Sequence, residues 1–270
     1  MAGNVGLELT ARNSLRVLDW VGASDIPVYL GADRPLSGVV REATHWHGPD
    51  GLGGARIPMS VRAARDDGIA YLSDAIMNQP GEVTLVCTAP LTNVALAVLR
   101  EPGLVRSVKN VVVMGGVTRP PGNVTPVAEF NIYADPRAAA VVFDQAWPIT
   151  MVGLDVTEKV RLSREERAAF VHSTAPEAVL VYEVTRHIFD VNGADTMALH
   201  DPLALAVAVQ PDLVSTQHRD VQVEAGGEPA LGQTVVDFRR SAPPPTRNTH
   251  VCTEVDVARA REMFFTTLGL

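Results

Sequence analysis

The sequence predicts an α/β fold in which helices cover both faces of one doubly wound, mostly parallel sheet. Apolar, β-branched runs at 83–87, 111–113 and within 148–157 are typical of strands that are buried on both faces. Segments with helical spacing of apolar residues alternate with these runs, as expected for βαβ units. The 270 residues are 46% hydrophobic and show no repeat or linker, so a single domain spanning residues 1–270 is expected.

A local sequence pattern predicts each helix and strand. Apolar spacing predicts a helix over 7–18 that stops at Gly22, and the run at 27–32 predicts a short strand. Ser163 and Glu166 have the spacing of a capping box, which predicts a helix from residue 164. The remaining predictions are helices at 61–78, 92–100, 136–144, 176–191, from 200 and from 256, strand-like alternation at 220–225, 230–238 and 249–255, and a long irregular segment at 33–60.

Composition excludes several classes of function. The net charge of −8 and a pI of about 5.4 argue against nucleic acid as a partner. No apolar run is long enough to cross a membrane, and the first residues do not resemble a signal peptide. Cys87 and Cys252 lie in apolar runs and are expected to be buried free thiols. A cytoplasmic protein without membrane contact is therefore expected.

The loop after the strand at 111–113 is the strongest candidate site. Gly115 and Gly116 end that strand, and Asn123, Glu129 and Asn131 follow within a few residues. Loops at the carboxyl ends of parallel strands are where α/β proteins bind ligands. Two amides and one carboxylate suit a polyhydroxylated ligand, although the same residue types also occur in solvated turns.

Other polar groups have both a functional and a structural interpretation. His45 and His47 could be taken for a zinc pair, but two histidines without nearby cysteine are a weak signal. His200 and Asp201 stand before Pro202 at a helix start, where they could simply cap the helix and interact with its dipole. Trp46 could stack on a ligand or anchor its own loop.

Five short stretches, taken together and in order, resemble one enzyme family. They are AGN (2–4), HGPDGLGG (47–54), VCTAPLTN (86–93), the MGG, GN and AEFN segments of the loop at 114–131, and HDP (200–202). The chain is identified by them as similar to the inosine-uridine-preferring nucleoside hydrolases. The resemblance implies hydrolysis of the N-glycosidic bond of ribonucleosides to ribose and a free base, by water that a calcium ion activates. It also implies a homo-oligomer, either a dimer or a tetramer.

The resemblance assigns a role to each candidate residue. Asp201 and the backbone carbonyl of Thr88 are implied calcium ligands, and calcium prefers such oxygens. His200 is the implied acid that protonates the departing base. The implied substrate contacts are Asn123, Glu129, Asn131 and Asn4 at the ribose hydroxyls, Met114 against the sugar, and His47 on a flexible loop at the pocket mouth.

The chain departs from the family at two places. A D-x-D-P-G-x-D-D turn with its strand-helix unit is expected before Asn4 and is missing, so the assigned start is wrong or the chain is a remnant. The chain as written is expected to hydrolyse nucleosides very poorly or not at all. The alternative function is that of an inactive truncated homologue that binds ribosides weakly or serves only as an oligomer partner. Phe189 and Thr185 stand where many relatives have tyrosines facing the base, so stacking is expected to survive without a hydroxyl relay.

Overall fold

The computed structural model describes residues 3–119 and 121–270, which form twelve α-helices and nine strands. The helices are α1 (Leu7–Trp20), α2 (Thr44–His47), α3 (Gly68–Met77), α4 (Thr92–Arg100), α5 (Leu104–Ser107), α6 (Phe130–Ala134), α7 (Pro136–Phe143), α8 (Leu154–Thr157), α9 (Arg164–Ala169), α10 (Pro176–Val184), α11 (His200–Val209) and α12 (Val257–Thr267). The strands are β1 (Thr84–Cys87), β2 (Asn110–Met114), β3 (Ile149–Val152), β4 (Arg161–Ser163), β5 (Thr196–Ala198), β6 (Val214–His218), β7 (Val221–Val223), β8 (Thr234–Val236) and β9 (Thr249–Val255). A π-helix spans His187–Val191, and short 3-10 helices span Phe170–His172 and Pro211–Leu213.

Five strands form the central sheet, in the order β1-β2-β3-β9-β6. The first four run parallel, with Thr84 opposite Asn110 and Val111 opposite Ile149. Only β6, at one edge, is antiparallel to its neighbour β9. The predicted mostly parallel sheet is therefore confirmed, and β4-β5 and β7-β8 are separate two-stranded pairs.

Strand β2 divides the core into two layers. Val111 and Val113 belong to a cluster with α3, α4 and α7 on one face of the sheet. Val112 and Met114 belong to a second cluster with α8, α11 and α12 on the other face. Because successive side chains of a strand point to opposite faces, this run of apolar residues needs helices on both sides. The doubly wound arrangement follows from that requirement.

Two local predictions near the start of the chain were wrong. The run at 27–32 forms only an isolated bridge between Tyr29 and Arg65, and α3 begins at Gly68 rather than near Val61. The reason is a backbone contact between the two segments. Arg65 donates its N–H to the carbonyl of Val28, and its carbonyl accepts from Leu30. An extended backbone at Arg65 is incompatible with the predicted helix.

Further along, the predicted helix at 176–191 is two elements, because α10 ends at Val184 and the π-helix follows. The capping box is confirmed, since Ser163 Oγ accepts from Glu166 N and Glu166 accepts from Ser163 N. Cys87 and Cys252 are free and buried, as predicted.

Within residues 3–119 and 121–270, no helix combines the length and apolar character needed to span a bilayer.

Candidate active site

The candidate site lies at the carboxyl edge of the parallel sheet, where β1 and β2 end. Thr88 follows β1 directly, and Met114 is the last residue of β2. Helix α11 packs across both strands and carries Asp201 in its first turn. Thr88 and Asp201 border one cavity of about 740 Å³, so the two residues that the sequence assigned to a metal share one space. A second cavity of about 740 Å³ lies near α3, and none of the predicted site residues lines it.

Glu129 is buried and held by three backbone N–H groups. Its Oε1 accepts from Asn131 N at 2.9 Å, and its Oε2 accepts from Gly116 N at 3.1 Å and Ile132 N at 3.2 Å. The side chain thereby caps α6 and ties it to the turn after β2. These three contacts fix the carboxylate in one orientation.

The electrostatics at this edge come from two neighbouring carboxyl groups. Burial raises the pKa of Glu129 to about 7, its backbone hydrogen bonds oppose the rise, and the charge of Asp201 adds to it. The protein around Asp201 raises the pKa of that carboxyl to about 6, although the residue remains open to the cavity. Within the described residues, neither carboxylate forms an ion pair with a basic side chain. Negative charge on these two carboxyl groups is therefore not neutralised by a described basic side chain, and the site favours a positively charged ligand.

The side chain of Asn131 contacts Met114 at the same carboxyl edge of the sheet. The Asn131 amide nitrogen lies 3.1 Å from the carbonyl oxygen of Met114 and 3.3 Å from its sulfur. Both residues are buried, with exposed fractions of 7% and 2%. The side-chain oxygen of Asn131 receives no hydrogen bond from the part of the chain that the structure describes, which leaves it free to accept from a ligand.

Asn123 lies on the outer part of this loop. Its Oδ1 accepts from Phe130 N at 2.9 Å, which leaves the amide nitrogen to face solvent. The loop turns at Gly116, whose φ of +79° and close neighbours exclude a side chain, because a Cβ there would lie 2.4 Å from Met151 Cε. Pro120, within the same loop, lies outside the described residues.

His200 does not contact Glu129 or Asn131 by any hydrogen bond. Its Nδ1 lies 2.8 Å from the hydroxyl oxygen of Thr157, and its Nε2 lies 3.8 Å from Glu158 Oε1. Burial lowers the pKa of His200, and the nearby carboxylate of Glu158 partly opposes that effect.

Asn4 and His47 lie on a neighbouring part of the surface. The carbonyl of Asn4 accepts from Ala43 N just before α2, and a Cβ added at Gly3 would lie 3.7 Å from Pro90 in the turn after β1. Ala2, the first residue of the AGN stretch, lies outside the described residues. His47 packs against the π-helix, and burial, with His45 and His187 nearby, lowers its pKa. No hydrogen bond of the described residues links His47 to Glu129 or Asp201.

The expected stacking surface for the base was wrong. Phe189 has an exposed fraction of 0% and packs within the core beneath the π-helix. Thr185 is also buried, where it accepts from Arg167 Nε and donates to the carbonyl of Val181. Phe189, within the π-helix, and Thr185, at the end of α10, therefore pack inward instead of facing a ligand.

The zinc interpretation of His45 and His47 finds no support. In residues 3–119 and 121–270, no three His, Cys, Asp or Glu side chains are grouped so that they could hold a metal ion.

Sequence reasoning missed Thr157 and Asp155. Both belong to α8, which lies in the segment 148–157 where the sequence predicted a strand and no helix. Asp155 accepts from Thr118 N, Thr118 Oγ1 and Arg119 N, and so holds the start of the candidate ribose loop. The one available signal was Gly153, which interrupts the apolar run.

Comparisons with known proteins agree on one family. The model of the inosine-uridine preferring nucleoside hydrolase family matches residues 1–262. An inosine-uridine preferring nucleoside hydrolase of Leishmania major is 37% identical over 95% of this chain and 83% of its own length. The pyrimidine-specific ribonucleoside hydrolase RihA of Citrobacter koseri is 38% identical over 88% of this chain and 78% of its own length.

Structural similarity leads to the same family. The structure of a plant nucleoside hydrolase superposes with a TM-score of 0.92 and 30% identity, covering 99% of this chain and 88% of that one. The family match and these relatives together cover nearly the whole chain. The chain therefore belongs to the inosine-uridine preferring nucleoside hydrolase family, whose members are enzymes that act on N-glycosidic bonds.

Proposed function

We propose that this protein hydrolyses the N-glycosidic bond of ribonucleosides and releases ribose and a free base. The observation that carries the proposal is that the charge of Asp201 acts on the buried carboxyl of Glu129 at the carboxyl edge of the sheet, where no basic side chain of residues 3–119 and 121–270 forms an ion pair with either group. Hydrolysis of such bonds passes through an oxocarbenium-like transition state. Fixed carboxylates beside the sugar stabilise its developing positive charge.

Each side chain has a role that its contacts allow. Glu129, Asn131 and Asn123 bind the ribose hydroxyls, because each retains hydrogen-bonding capacity beyond its protein contacts. Met114 packs against the sugar, and Asn4 and His47 approach it from the side of α2. His200 donates a proton to the leaving base, since an imidazole exchanges protons near neutral pH.

The described residues supply only some of the oxygen ligands that a calcium ion needs. The carboxylate of Asp201 and the carbonyl of Thr88 are suitable oxygens on one cavity, but calcium takes six to eight. Since the described residues offer no larger group of acidic ligands, they do not by themselves fit the ion as a complete site. The chemistry above is therefore assigned to side chains alone.

Cellular location and assembly complete the proposal. Cys87 and Cys252 are both free, and burial raises the pKa of each thiol to about 12, which suits a reducing cytoplasm. A homo-oligomer, a dimer or a tetramer, is the proposed assembly. Light scattering on the purified protein measures it directly, and a monomer at micromolar concentration would contradict it.

The central experiment measures ribose release from inosine and uridine by the purified 270-residue protein with calcium present. We expect release from both nucleosides, and loss of most of it in Glu129→Gln. The rate also tests the expectation of slow turnover. Riboside binding without release would favour the inactive homologue, and neither binding nor release would contradict the assignment of this site to ribosides.

A further inference from the structure

Helix α8 connects the candidate ribose loop to His200. On one side, Leu154 N donates to the carbonyl of Gly116 at 2.9 Å, and Asp155 accepts from Thr118. On the other side, the last residue of the helix, Thr157, reaches the imidazole of His200. This short helix therefore holds both halves of the candidate site in fixed relation.

Backbone hydrogen bonds between neighbouring residues hold the segments that carry Thr157 and His200 next to each other. Thr157 has an exposed fraction of 0%, and its Oγ1 lies 2.8 Å from Nδ1 of the ring. Just beyond, Leu199 N donates to the carbonyl of Val160 at 2.8 Å. Strands β4 and β5 pair in the next residues. Because the two segments are bound together next to the contact, their backbones hold the Thr157 hydroxyl and the His200 ring close to each other.

The surroundings of the ring favour one tautomer. Glu158 Oε1 lies 3.8 Å from Nε2, and the second oxygen of Glu158 is paired with Arg161. These are the charged groups that face the ring in the described chain. A carboxylate near Nε2 favours the hydrogen on that nitrogen, which leaves Nδ1 as an acceptor. The hydroxyl of Thr157 is then the donor.

We propose that Thr157 is a positioning residue for His200: its hydroxyl donates to Nδ1, and the neutral ring therefore carries its hydrogen on Nε2. In this tautomer Nε2, which lies near Glu158, carries the hydrogen, and Nδ1, which contacts Thr157, does not. Glu158 has a half-exposed side chain, whose second oxygen is paired with Arg161. The catalytic part of this inference rests on the proposed function of His200, whose acid form is the imidazolium: its Nδ1–H donates to the Thr157 hydroxyl, and its Nε2 proton passes to the base, which leaves a neutral ring.

Nitrogen NMR of the histidine rings tests the tautomer directly. Selective ¹⁵N labelling separates a protonated ring nitrogen from a bare one, and His200 is assigned by its absence in His200→Gln. Spectra are recorded at a pH at which the ring is neutral. We expect hydrogen on Nε2 in the unsubstituted protein and in Thr157→Ser, but a mixture of tautomers in Thr157→Val and Thr157→Ala. Thr216→Val, on the exposed side of β6, is the matched control and should change nothing.

Two spectroscopic outcomes would overturn the proposal. One is a hydrogen on Nδ1 in the unsubstituted protein, and the other is an unchanged tautomer when the Thr157 hydroxyl is removed. Thr157→Ala provides the second measurement if the valine variant does not fold. These readings hold whether or not the protein turns over substrate, so they are independent of the proposed function.

A kinetic comparison extends the test to catalysis. Loss of the hydroxyl should lower kcat/KM for inosine by roughly tenfold, and Thr157→Ser should restore it. Nitrophenyl riboside, whose leaving group needs no proton, should react at an unchanged rate. Equal losses on both substrates would show a structural role and overturn the positioning role. No hydrolysis of either riboside by the unsubstituted protein would instead contradict the proposed function.

Discussion

Glu129 combines a structural and a chemical role in one side chain. It accepts three backbone N–H groups, and both of its oxygens take part. A carboxylate offers about four acceptor positions, so one position on Oε1 remains for a ligand. The same three contacts favour the ionised form, whereas burial and Asp201 disfavour it. The balance keeps the pKa of this carboxyl near neutrality.

The raised pKa of Glu129 predicts a specific dependence of stability on pH. The folded protein binds a proton at this carboxyl more tightly than the unfolded chain does. Relative to Glu129→Gln, the unsubstituted protein should therefore be most stable below pH about 4.5 and lose stability as pH rises to about 7. The total change is at most about 3 kcal/mol. Urea unfolding of both proteins at several pH values, without calcium, measures it; a difference that stays constant across this range would contradict the assignment.

Calcium affinity should depend on Asp201 and not on its neighbour in the sequence. The family resemblance implies Asp201 as one ligand of a site that the described residues complete only in part, so we expect Asp201→Asn to weaken whatever calcium binding the protein shows by roughly 100-fold. His200→Gln should leave the affinity nearly unchanged, since the ring faces Thr157. Asp212→Asn, an exposed carboxylate paired with Arg259, is the control. Calorimetric titration of the three variants decides, and equal affinities would remove Asp201 from the metal site.

Among the elements, the HGPDGLGG loop (47–54) packs between α1 and the start of the π-helix. Asn13 of α1 donates to the carbonyl of Asp50 at 2.7 Å, and Asp50 Oδ1 accepts from Leu52 N and Gly54 N. Arg186, next to the π-helix, donates to the carbonyl of Gly54. The loop is thereby held on both sides, and with it the position of His47.

Two adjacent glycines allow this docking to be tested. Gly53 and Gly54 both have positive φ, but only at Gly53 would a Cβ collide with the carbonyl of Val184, at 2.2 Å. Gly54→Ala should cost about 1 kcal/mol for its backbone conformation alone. Gly53→Ala should cost about 1–3 kcal/mol more, because the loop must also move away from α10. Denaturant unfolding and hydrogen exchange of residues 47–54 measure both variants. Equal costs would show that the loop does not dock as described.

The elements also show where sequence reasoning succeeds and fails. Strand β2 and the capping box of α9 were predicted because their signals are local. The start of α3 was not, because Arg65 pairs with a segment more than thirty residues earlier and no local pattern records that. The inward turn of Phe189 has the same origin. Its π-helix packs against α2, a contact that apolar spacing alone does not predict.

In the whole molecule, the parallel sheet explains how residues that are distant in the sequence lie at one edge. Thr88, Met114 and Asp201 come from three separate segments, yet each lies at the carboxyl edge because β1 and β2 run parallel and α11 crosses them. This convergence could be predicted from the order of elements. The contact of Thr157 with His200 could not, because it depends on where β3 ends and α8 begins.

The proposed ribose contacts include two buried, fixed polar side chains, whereas the two residues expected near the base lie in the core. Glu129 and Asn131 are buried and locked by backbone contacts, whereas Phe189 and Thr185 are turned into the core. A site that binds a hydroxyl with buried groups leaves them unpaired when that hydroxyl is absent. We therefore predict strict selection of the sugar and weaker selection among bases.

The measurement compares kcat/KM for inosine, 2′-deoxyinosine and uridine on the unsubstituted protein. Loss of the 2′-hydroxyl should lower kcat/KM by about 10⁴-fold, because a hydrogen-bonding site rejects an analogue that lacks its partner far more strongly than it rejects a change of apolar bulk. Inosine and uridine should differ by much less. Asn131→Ala should reduce the discrimination between inosine and its deoxy analogue, whereas Thr216→Val should not. If the deoxy compound reacts within tenfold of inosine, the loop at 114–131 does not bind ribose hydroxyls, even though the chain belongs to the family.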